Sequence, residues 1–248
     1  DVKNNGTDWS SKLTASRVTV DAARSAVFTP IWEASTQLPA ATARNVYFDD
    51  AGTVKKFGGT TISLAGLCGL SNTLYPQQSL CTESRLTGLG ATADSAAKYL
   101  LGETSGEVRN GGKLRDRTTT LGDIINSTPV ISSPIDDFGY RALGDPYNTS
   151  YTAYLNSKRT DKRYMVYAGA NDGMLHAFDG GMNGAGTVGG NGGRESFAYI
   201  PATSYQHMGN LLLPYDPRDN AQTFVHKYFV DGPLAVGDTY YSSAWHTD

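Results

Sequence analysis

The sequence predicts a mainly β fold with a few short helices, and three observations point there. The 248 residues include 28 glycines and 15 tyrosines. Their Thr-, Ser- and Asn-rich texture suits many short strands joined by turns better than long helices. Apolar runs of strand length also recur between polar or glycine-rich stretches. The clearest is RYMVYAGANDGMLHAFDGG, Arg163 to Gly181, in which two such runs are hinged on Asn171, Asp172 and Gly173. An apolar fraction of 39% is that of a globular chain, which excludes disorder as the default.

Taken in order, TPIWEASTQL predicts a short helix, with Thr29 as N-cap, Pro30 at the first helical position and Pro39 as the stop. Ile31, Ala34 and Leu38 share one face of it. RNVYFDD reads as a strand. Cys68 and Cys81 flank the loop-like GLSNTLYPQQSL, and their number and spacing allow one local disulfide. Two reduced core cysteines would read the same, and a zinc site would need more ligands. TADSAAKYLLGE predicts a second helix, with Ala96, Ala97, Leu100 and Leu101 near helical spacing and Gly102 able to end the last turn.

After Arg117 the texture changes to apolar strands. DIINSTPVIS is the first, and RYMVYAGA and MLHAFD follow as a pair. Asn171, Asp172 and Gly173 tolerate positive φ, which a tight turn between twisted strands requires. The small residues Ala168, Gly169, Ala170 and Ala177 let another sheet approach closely. The basic stretch SKRTDKR, Ser157 to Arg163, carries its own aspartate and reads as a solvated loop.

STPVIS and DGPLAVG form a partial repeat, each placing a proline before a short apolar strand. Pro129 and Pro233 lie further apart than the roughly 40 to 45 residues of an undecorated propeller blade. The segments 134–162 and 180–193 read as insertions, so decorated blades fit. In this register RYMVYAG corresponds to the region beginning AWHTD, where the sequence stops inside a blade. Residues 1–113 are then the approach to a propeller and its first elements, with short helices. Residues 114–248 are its first blades.

Most chemistry is excluded by context. The formal net charge is −3 and no long basic run occurs, so nucleic acid is not an expected partner. No run reaches the roughly 18 apolar residues of a membrane span. Asp1 stands where a methionine or leader would, marking a processed or excised piece. GAGTVG, Gly184 to Gly189, matches the dinucleotide fingerprint but runs into a strand where a helix is needed. SAAK, Ser95 to Lys98, has serine acyl-enzyme spacing without the partner motifs, so Ser95 reads as a capping or first-turn residue. His176, His207, His226 and His246 show no ligand spacing, and His176 reads as a sheet histidine. DVKNNG, DDFGYRALGD and DPRDN fail the calcium-loop pattern. Asn-x-Ser/Thr triplets begin at Asn5, Asn126 and Asn148. No catalytic, cofactor-binding or metal-ligating residue is therefore assigned.

LGDIINSTPV, VYAGANDGMLHAFDGG, ESFAYIP and YFVDGP, in this order, resemble the blocks of the PilC/PilY-type proteins of type IV pili. The likeness is specific from Leu121 to Gly237, and DWSSKL, PIWEASTQL, ARNVYF and AAKYLLGE extend it upstream more loosely. The resemblance implies a modified β-propeller of quinoprotein-like type, of which about two decorated blades are present. It further implies a non-enzymatic factor in pilus biogenesis and adhesion, exported through the periplasm to the cell surface, the pilus tip or the outer membrane. The implied partners are minor pilins, the pilus tip and host or abiotic surfaces. The family's regulatory calcium loop has no counterpart here, so the resemblance carries over no metal ligand and no cofactor. NDGMLHAFD also resembles the repeat of propellers that hold pyrroloquinoline quinone, making a quinoprotein dehydrogenase the alternative. The sequence lacks that class's adjacent cysteine pair. A carbohydrate-binding or purely structural β domain is a third reading, since exposed tyrosines pack on sugars.

Overall fold

The two apolar runs between Arg163 and Gly181 pair with each other, and the main sheet extends outward from them. The computed structural model describes residues 2–4, 8–77, 81–161, 163–182, 189–215 and 224–247. The first elements are β1 (Val2–Asn4), β2 (Trp9–Ser11), β3 (Thr14–Val20), β4 (Ala26–Glu33), β5 (Val46–Asp50) and β6 (Thr53–Lys56). A helical stretch follows: α1 (Leu64–Cys68), α2 (Ser71–Leu74), α3 (Glu83–Gly88) and α4 (Ala93–Leu100). Then come β7 (Val130–Ser132), α5 (Tyr147–Asp161), β8 (Met165–Gly169), β9 (Leu175–Asp179), β10 (Glu195–Ile200), α6 (Ala202–Tyr205), β11 (Asp238–Tyr241) and β12 (Ala244–Thr247). The chain is mainly β with few helices.

Six strands form one open sheet in the order β6-β5-β10-β9-β8-β7. Strands β7 to β10 are consecutive antiparallel neighbours, a four-stranded meander, and β5 joins it parallel to β10. The sheet thus draws strands from both sides of residue 113. Alternation sets its two faces. Val46, Phe48, Val166, Ala168, His176, Phe178, Ala198 and Ile200 point to one face and are buried. Helices α1, α3 and α4 and the segment 208–213 cover the β5–β10 part of it, while Trp32, Ala34 and Leu121 cover the β8–β9 part. Tyr47, Tyr167, Leu175, Phe197 and Tyr199 point the other way, along a groove.

The helical cover follows its local sequence. Thr92 and Ser95 form a reciprocal capping box at the start of α4, the Thr92 hydroxyl accepting from the Ser95 N–H at 3.1 Å and the Ser95 hydroxyl from the Thr92 N–H at 2.9 Å. Ala96, Ala97, Tyr99 and Leu100 are buried, and Gly102, at φ +114°, follows the helix in the left-handed region. Cys68, at the end of α1, is bridged to Cys81, two residues before α3, with Cα atoms 5.3 Å apart.

Four expectations are corrected. TPIWEASTQL is not a helix: its first part completes β4, which pairs along its length with β3, and a short 3-10 turn at Ala34–Thr36 follows. Cross-strand pairing of the β-branched and aromatic residues overrides the N-cap and proline signals, and Pro30 sits next to a register shift where its missing N–H is tolerated. SKRTDKR is not a loop, because Ser157 to Asp161 are the last residues of α5. Only Tyr151 and Leu155, one turn apart, are buried from that helix, so its apolar stripe is too narrow to read. DIINSTPVIS is a strand only at Val130–Ser132. Upstream, its backbone bonds to other partners, such as Ile124 N–H to the Ser11 hydroxyl at 2.8 Å. PLAV of DGPLAVG forms no strand, and β12 pairs instead with β11, which begins at Asp238.

Candidate functional site

The hinge between β8 and β9 uses each of its residues for a different bond. The Ala170 N–H donates to the Met174 carbonyl at 3.0 Å and the Gly173 N–H to the Ala170 carbonyl at 3.3 Å. Gly173 alone of the three has positive φ, +97°, and a Cβ there would lie 2.8 Å from the Met208 methyl carbon. Asn171 is a clamp: its amide donates to the Asp123 carboxylate at 2.7 Å while its carbonyl oxygen accepts the Phe229 N–H at 3.0 Å. Asp172 accepts the Gly122 N–H at 3.0 Å and lies 3.1 Å from Nε2 of His176. The hinge therefore ties the hairpin to the segments before and after it in the chain.

Behind the hinge lies a buried chain of charge. His176 Nδ1 is 2.8 Å from the Glu195 carboxylate, which the Arg44 guanidinium grips through Nε and Nη2 at 2.7 Å each. Arg44 also donates to the Leu101 carbonyl at 3.1 Å, linking the sheet to the end of α4. Burial disfavours the imidazolium, but the Asp172 charge and hydrogen bond, followed by Glu195, raise His176 to about 9. Burial likewise opposes Glu195 ionisation, yet the hydrogen bonds from Arg44 and His176 hold it down to about 2. Asp172 is also lowered, its burial outweighed by His176. Two cations and two anions thus alternate, and of the four only Asp172, 14% exposed at its side chain, reaches the crevice beside them.

A polar crevice opens beside this lock. It is lined by Asp8, Trp9, Arg115, Asp123, Asn171 and His226, among others. Arg115 donates to Asp8 at 2.6 Å, Arg117 to Glu107 at 3.0 Å, and His226 Nε2 lies 2.9 Å from Asp123. Arg117 stacks over Tyr99, 3.7 Å from the ring centroid. The cavity is about 30 Å³, space for one or two waters. Among the described residues no group of three or more His, Cys, Asp or Glu is placed to hold a metal ion. No described helix is long and apolar enough to cross a membrane.

The other sequence-level candidates are dispersed. Ser95 is engaged in its capping box and Lys98 pairs with Asp94 at 2.7 Å. His207 stacks on Phe229 with centroids 4.1 Å apart, and burial, then the Lys227 charge, lowers it to about 4. His246 stacks on Tyr241. In DDFGYRALGD, Asp136 accepts the Ser133 N–H and Asp137 pairs with Arg141. GAGTVG apart from Gly189, the Asn5 triplet and DPRDN lie outside the described residues. The disulfide belongs to the helical layer, where a Cβ on Gly209 would lie 2.8 Å from the Cys68 sulfur. Sequence reading missed Arg44, Glu195 and Asp123, and it named His226 without a partner. The one available signal was the four-residue spacing of Asp172 and His176 across a turn, which places a carboxylate beside a strand histidine.

The family model of the PilY1 beta-propeller domain matches residues 121–248, which contain the β7–β10 meander and the β11–β12 hairpin. A type IV pilus biogenesis factor PilY1 homolog of Xylella fastidiosa is 28% identical over 272 aligned residues, covering 98% of this chain and 17% of that protein. A second PilY1 homolog of that organism is 34% identical, covering 62% of the chain and 11% of the protein. Type IV pilus biogenesis factor PilY1 of Pseudomonas aeruginosa strain PAK is 33% identical over 149 residues, 60% of the chain and 11% of that protein. The chain therefore spans less than a fifth of these relatives. No solved structure matches it significantly. Because the matched region covers just over half of the chain and holds the hinge, its clamp and all of the lock but Arg44, the chain belongs to the PilY1 family.

Proposed function

We propose that the chain is the first part of an incomplete, quinoprotein-type β-propeller that serves type IV pilus biogenesis through protein–protein and surface contacts, without catalysis. The β7–β10 meander is one blade, and the β11–β12 hairpin opens the next. Residues 114–248 are the blade region and residues 1–113 the approach to it. The partners are minor pilins at the pilus tip and a host or abiotic surface, and the location is the cell surface after export through the periplasm.

The observation that carries this reading is how the hinge is used. Asn171, Asp172 and Gly173 spend their polar groups on neighbouring segments and the buried lock, and none of them faces a cavity that admits a substrate. That is the behaviour of a scaffold. The likeness to relatives named as pilus biogenesis factors supplies the biological setting. A quinoprotein dehydrogenase finds no support, since the matching family model and the similar curated proteins are those of pilus biogenesis factors.

The test is complementation. A strain lacking its PilY1 protein, supplied with a full-length polypeptide carrying these residues, regains surface pili and captures minor pilins. A polypeptide with the Asn171→Leu and Asp172→Leu substitutions does not. Dye-linked alcohol oxidation by the purified protein would overturn the non-enzymatic reading, and unaltered piliation in the double variant would overturn the scaffold reading.

A further inference from the structure

The connection between β7 and β8 is far longer than the meander needs. Antiparallel neighbours are joined by about two to five residues, whereas the segment 133–164 separates Ser132 from Met165 and builds α5 within it. Tyr140 and Tyr147 of that segment meet the β11–β12 hairpin in a cluster of rings around Trp245. The Trp245 ring lies 5.2 Å from Tyr140, 4.6 Å from Tyr151 and 5.2 Å from Tyr240, centroid to centroid, and Tyr147 stands edge-on to Tyr240 at 5.3 Å. The Trp245 indole N–H donates to the Ser150 hydroxyl at 3.0 Å, which pins the cluster to the first turn of α5.

The two halves of this cluster differ. Inside, Tyr151 is fully buried, its hydroxyl donating to Asp238 at 2.7 Å and accepting the Phe138 N–H at 3.0 Å. Outside, Tyr147 and Tyr240 are each 41% exposed and Tyr140 is half-buried, and among the described residues none of their three hydroxyls has a hydrogen-bond partner. Neighbouring rings hold these side chains in place while their hydroxyls stay open, so a ligand pays little entropy to order them. The charged residues beside them in the chain, and Asp238, are already engaged. Lys158 donates to Asp238 at 2.9 Å, Arg141 pairs with Asp137, and Asp145 accepts the Thr149 hydroxyl at 2.6 Å.

We propose that Tyr140, Tyr147 and Tyr240 form a shallow binding face for a neutral polysaccharide. A pyranose ring carries C–H bonds on its faces and hydroxyls round its rim. The C–H face stacks on the negative face of an aromatic ring, and the rim hydroxyls bond to the free phenol hydroxyls. Other occupants fit less well. A cation needs an uncompensated carboxylate beside the rings, and Asp238 is compensated by Lys158. An apolar protein or lipid surface would strip water from three hydroxyls and return no bond. The inference gives the surface contact of the proposed function a chemical class, and it rests on that part of the reading alone.

The probes are cellohexaose and chitohexaose, with hexagalacturonate as the charged comparison, titrated into the full-length polypeptide containing these residues and followed by saturation-transfer NMR and calorimetry. At least one neutral probe should bind, with saturation reaching its pyranose C–H protons, and hexagalacturonate should bind more weakly. Tyr147→Ala with Tyr240→Ala should weaken binding about tenfold or more, on the scale of two aromatic contacts. Tyr147→Phe with Tyr240→Phe keeps the ring packing and should cost only about threefold. Tyr241→Ala, on the opposite face of the hairpin where Tyr241 stacks on His246, should leave binding unchanged. No binding of either neutral probe, undiminished binding in the alanine pair, or an equal loss in Tyr241→Ala overturns the proposal. Equal or tighter binding of hexagalacturonate also overturns it, since the ligand would then be ionic. Without sugar binding, loss of minor-pilin capture in the alanine pair would assign the face to a protein instead. Should the alanine pair fail to fold, Tyr147→Ala alone should weaken binding about threefold, and no weakening overturns the face. Piliation of the complemented strain is measured separately, so a failure of sugar binding leaves the biogenesis reading standing.

Discussion

The hairpins β8–β9, with strands of 5 residues, and β3–β4, with strands of 7 and 8, are both antiparallel, yet they differ sharply in burial. In β8–β9, Ala168, His176, Ala177 and Phe178 are fully buried. In β3–β4, Val18 faces Phe28 and Val20 faces Ala26 across the strands, and Val20 and Phe28 remain 70% and 66% exposed. The ribbon is fastened at its base, where Trp32 is buried and donates to the Gly180 carbonyl at 3.2 Å. Strand pairing supplies local order in both hairpins. Only β8–β9 adds buried charge, so the cost of damage concentrates there. The comparison teaches that a β pair is as fragile as what it buries, not as the number of its ladder bonds.

The largest test removes one end of the lock. Arg44→Met leaves Glu195 buried without its guanidinium and should lower the unfolding free energy by about 3 to 5 kcal/mol. Denaturant unfolding measures it, and a loss under about 0.5 kcal/mol, the size of an ordinary surface effect, would remove the contrast between the hairpins. The same lock sets a pH signature. His176 is raised from 6.5 to about 9, so its contribution is whole below pH 6.5 and disappears as pH rises through 9. Glu195 is lowered from 4.5 to about 2, so its contribution is whole above pH 4.5 and disappears as pH falls through 2. His207 and Lys227, both lowered by burial, titrate with the opposite sign to His176. The decisive quantity is therefore the difference in melting temperature between the parent and His176→Gln, which should shrink from pH 6.5 to 9. A constant difference would mean that His176 is not charged in the fold.

Next in size is the bridge in the helical layer. On the loop-closure model, replacing Cys68 and Cys81 by serine costs about 3 kcal/mol, since the bridge closes a short loop. Mass spectrometry of the unreduced protein checks the pairing itself, and two free thiols would refute it. Gly173→Val follows, at roughly 1 to 3 kcal/mol for a branched residue at positive φ. The Met208 side chain against that position places the loss toward the upper end. An unchanged melting temperature would show that the turn relaxes freely.

The same contrast explains what was legible in sequence. Asn-Asp-Gly announces β8–β9 because turn chemistry is local, and the spacing of Ala96, Ala97, Leu100 and Leu101 before Gly102 announces α4 for the same reason. The ribbon β3–β4 was hidden. Its turn, DAARS, carries no glycine, and the Thr-Pro pair in β4 imitates a helix start, so only the pairing of Thr14–Val20 with Ala26–Glu33 decides the outcome. The lock was hidden more deeply. Arg44 and Glu195 are 151 residues apart, and no local pattern distinguishes a charge at a strand end that will be buried from one that will be solvated.

The smallest expected effect lies on the ribbon. Its face of Val18, Val20, Ala26, Phe28 and Pro30 is apolar and carries no charge, and Phe28 touches water over most of its surface. Phe28→Ser removes one cross-strand partner of Val18 and little buried area, so the loss should not exceed about 1 kcal/mol, the scale of a single cross-strand pair. Denaturant unfolding at two protein concentrations separates the possibilities. A loss near 2 kcal/mol or more that is independent of concentration would mean that the ribbon packs on its own chain, and the contrast between the hairpins would fall. A loss that grows with protein concentration would mean that the parent's apolar face is stabilised by another molecule. A small, concentration-independent loss leaves the ribbon as a structure held by pairing and its Trp32 anchor alone.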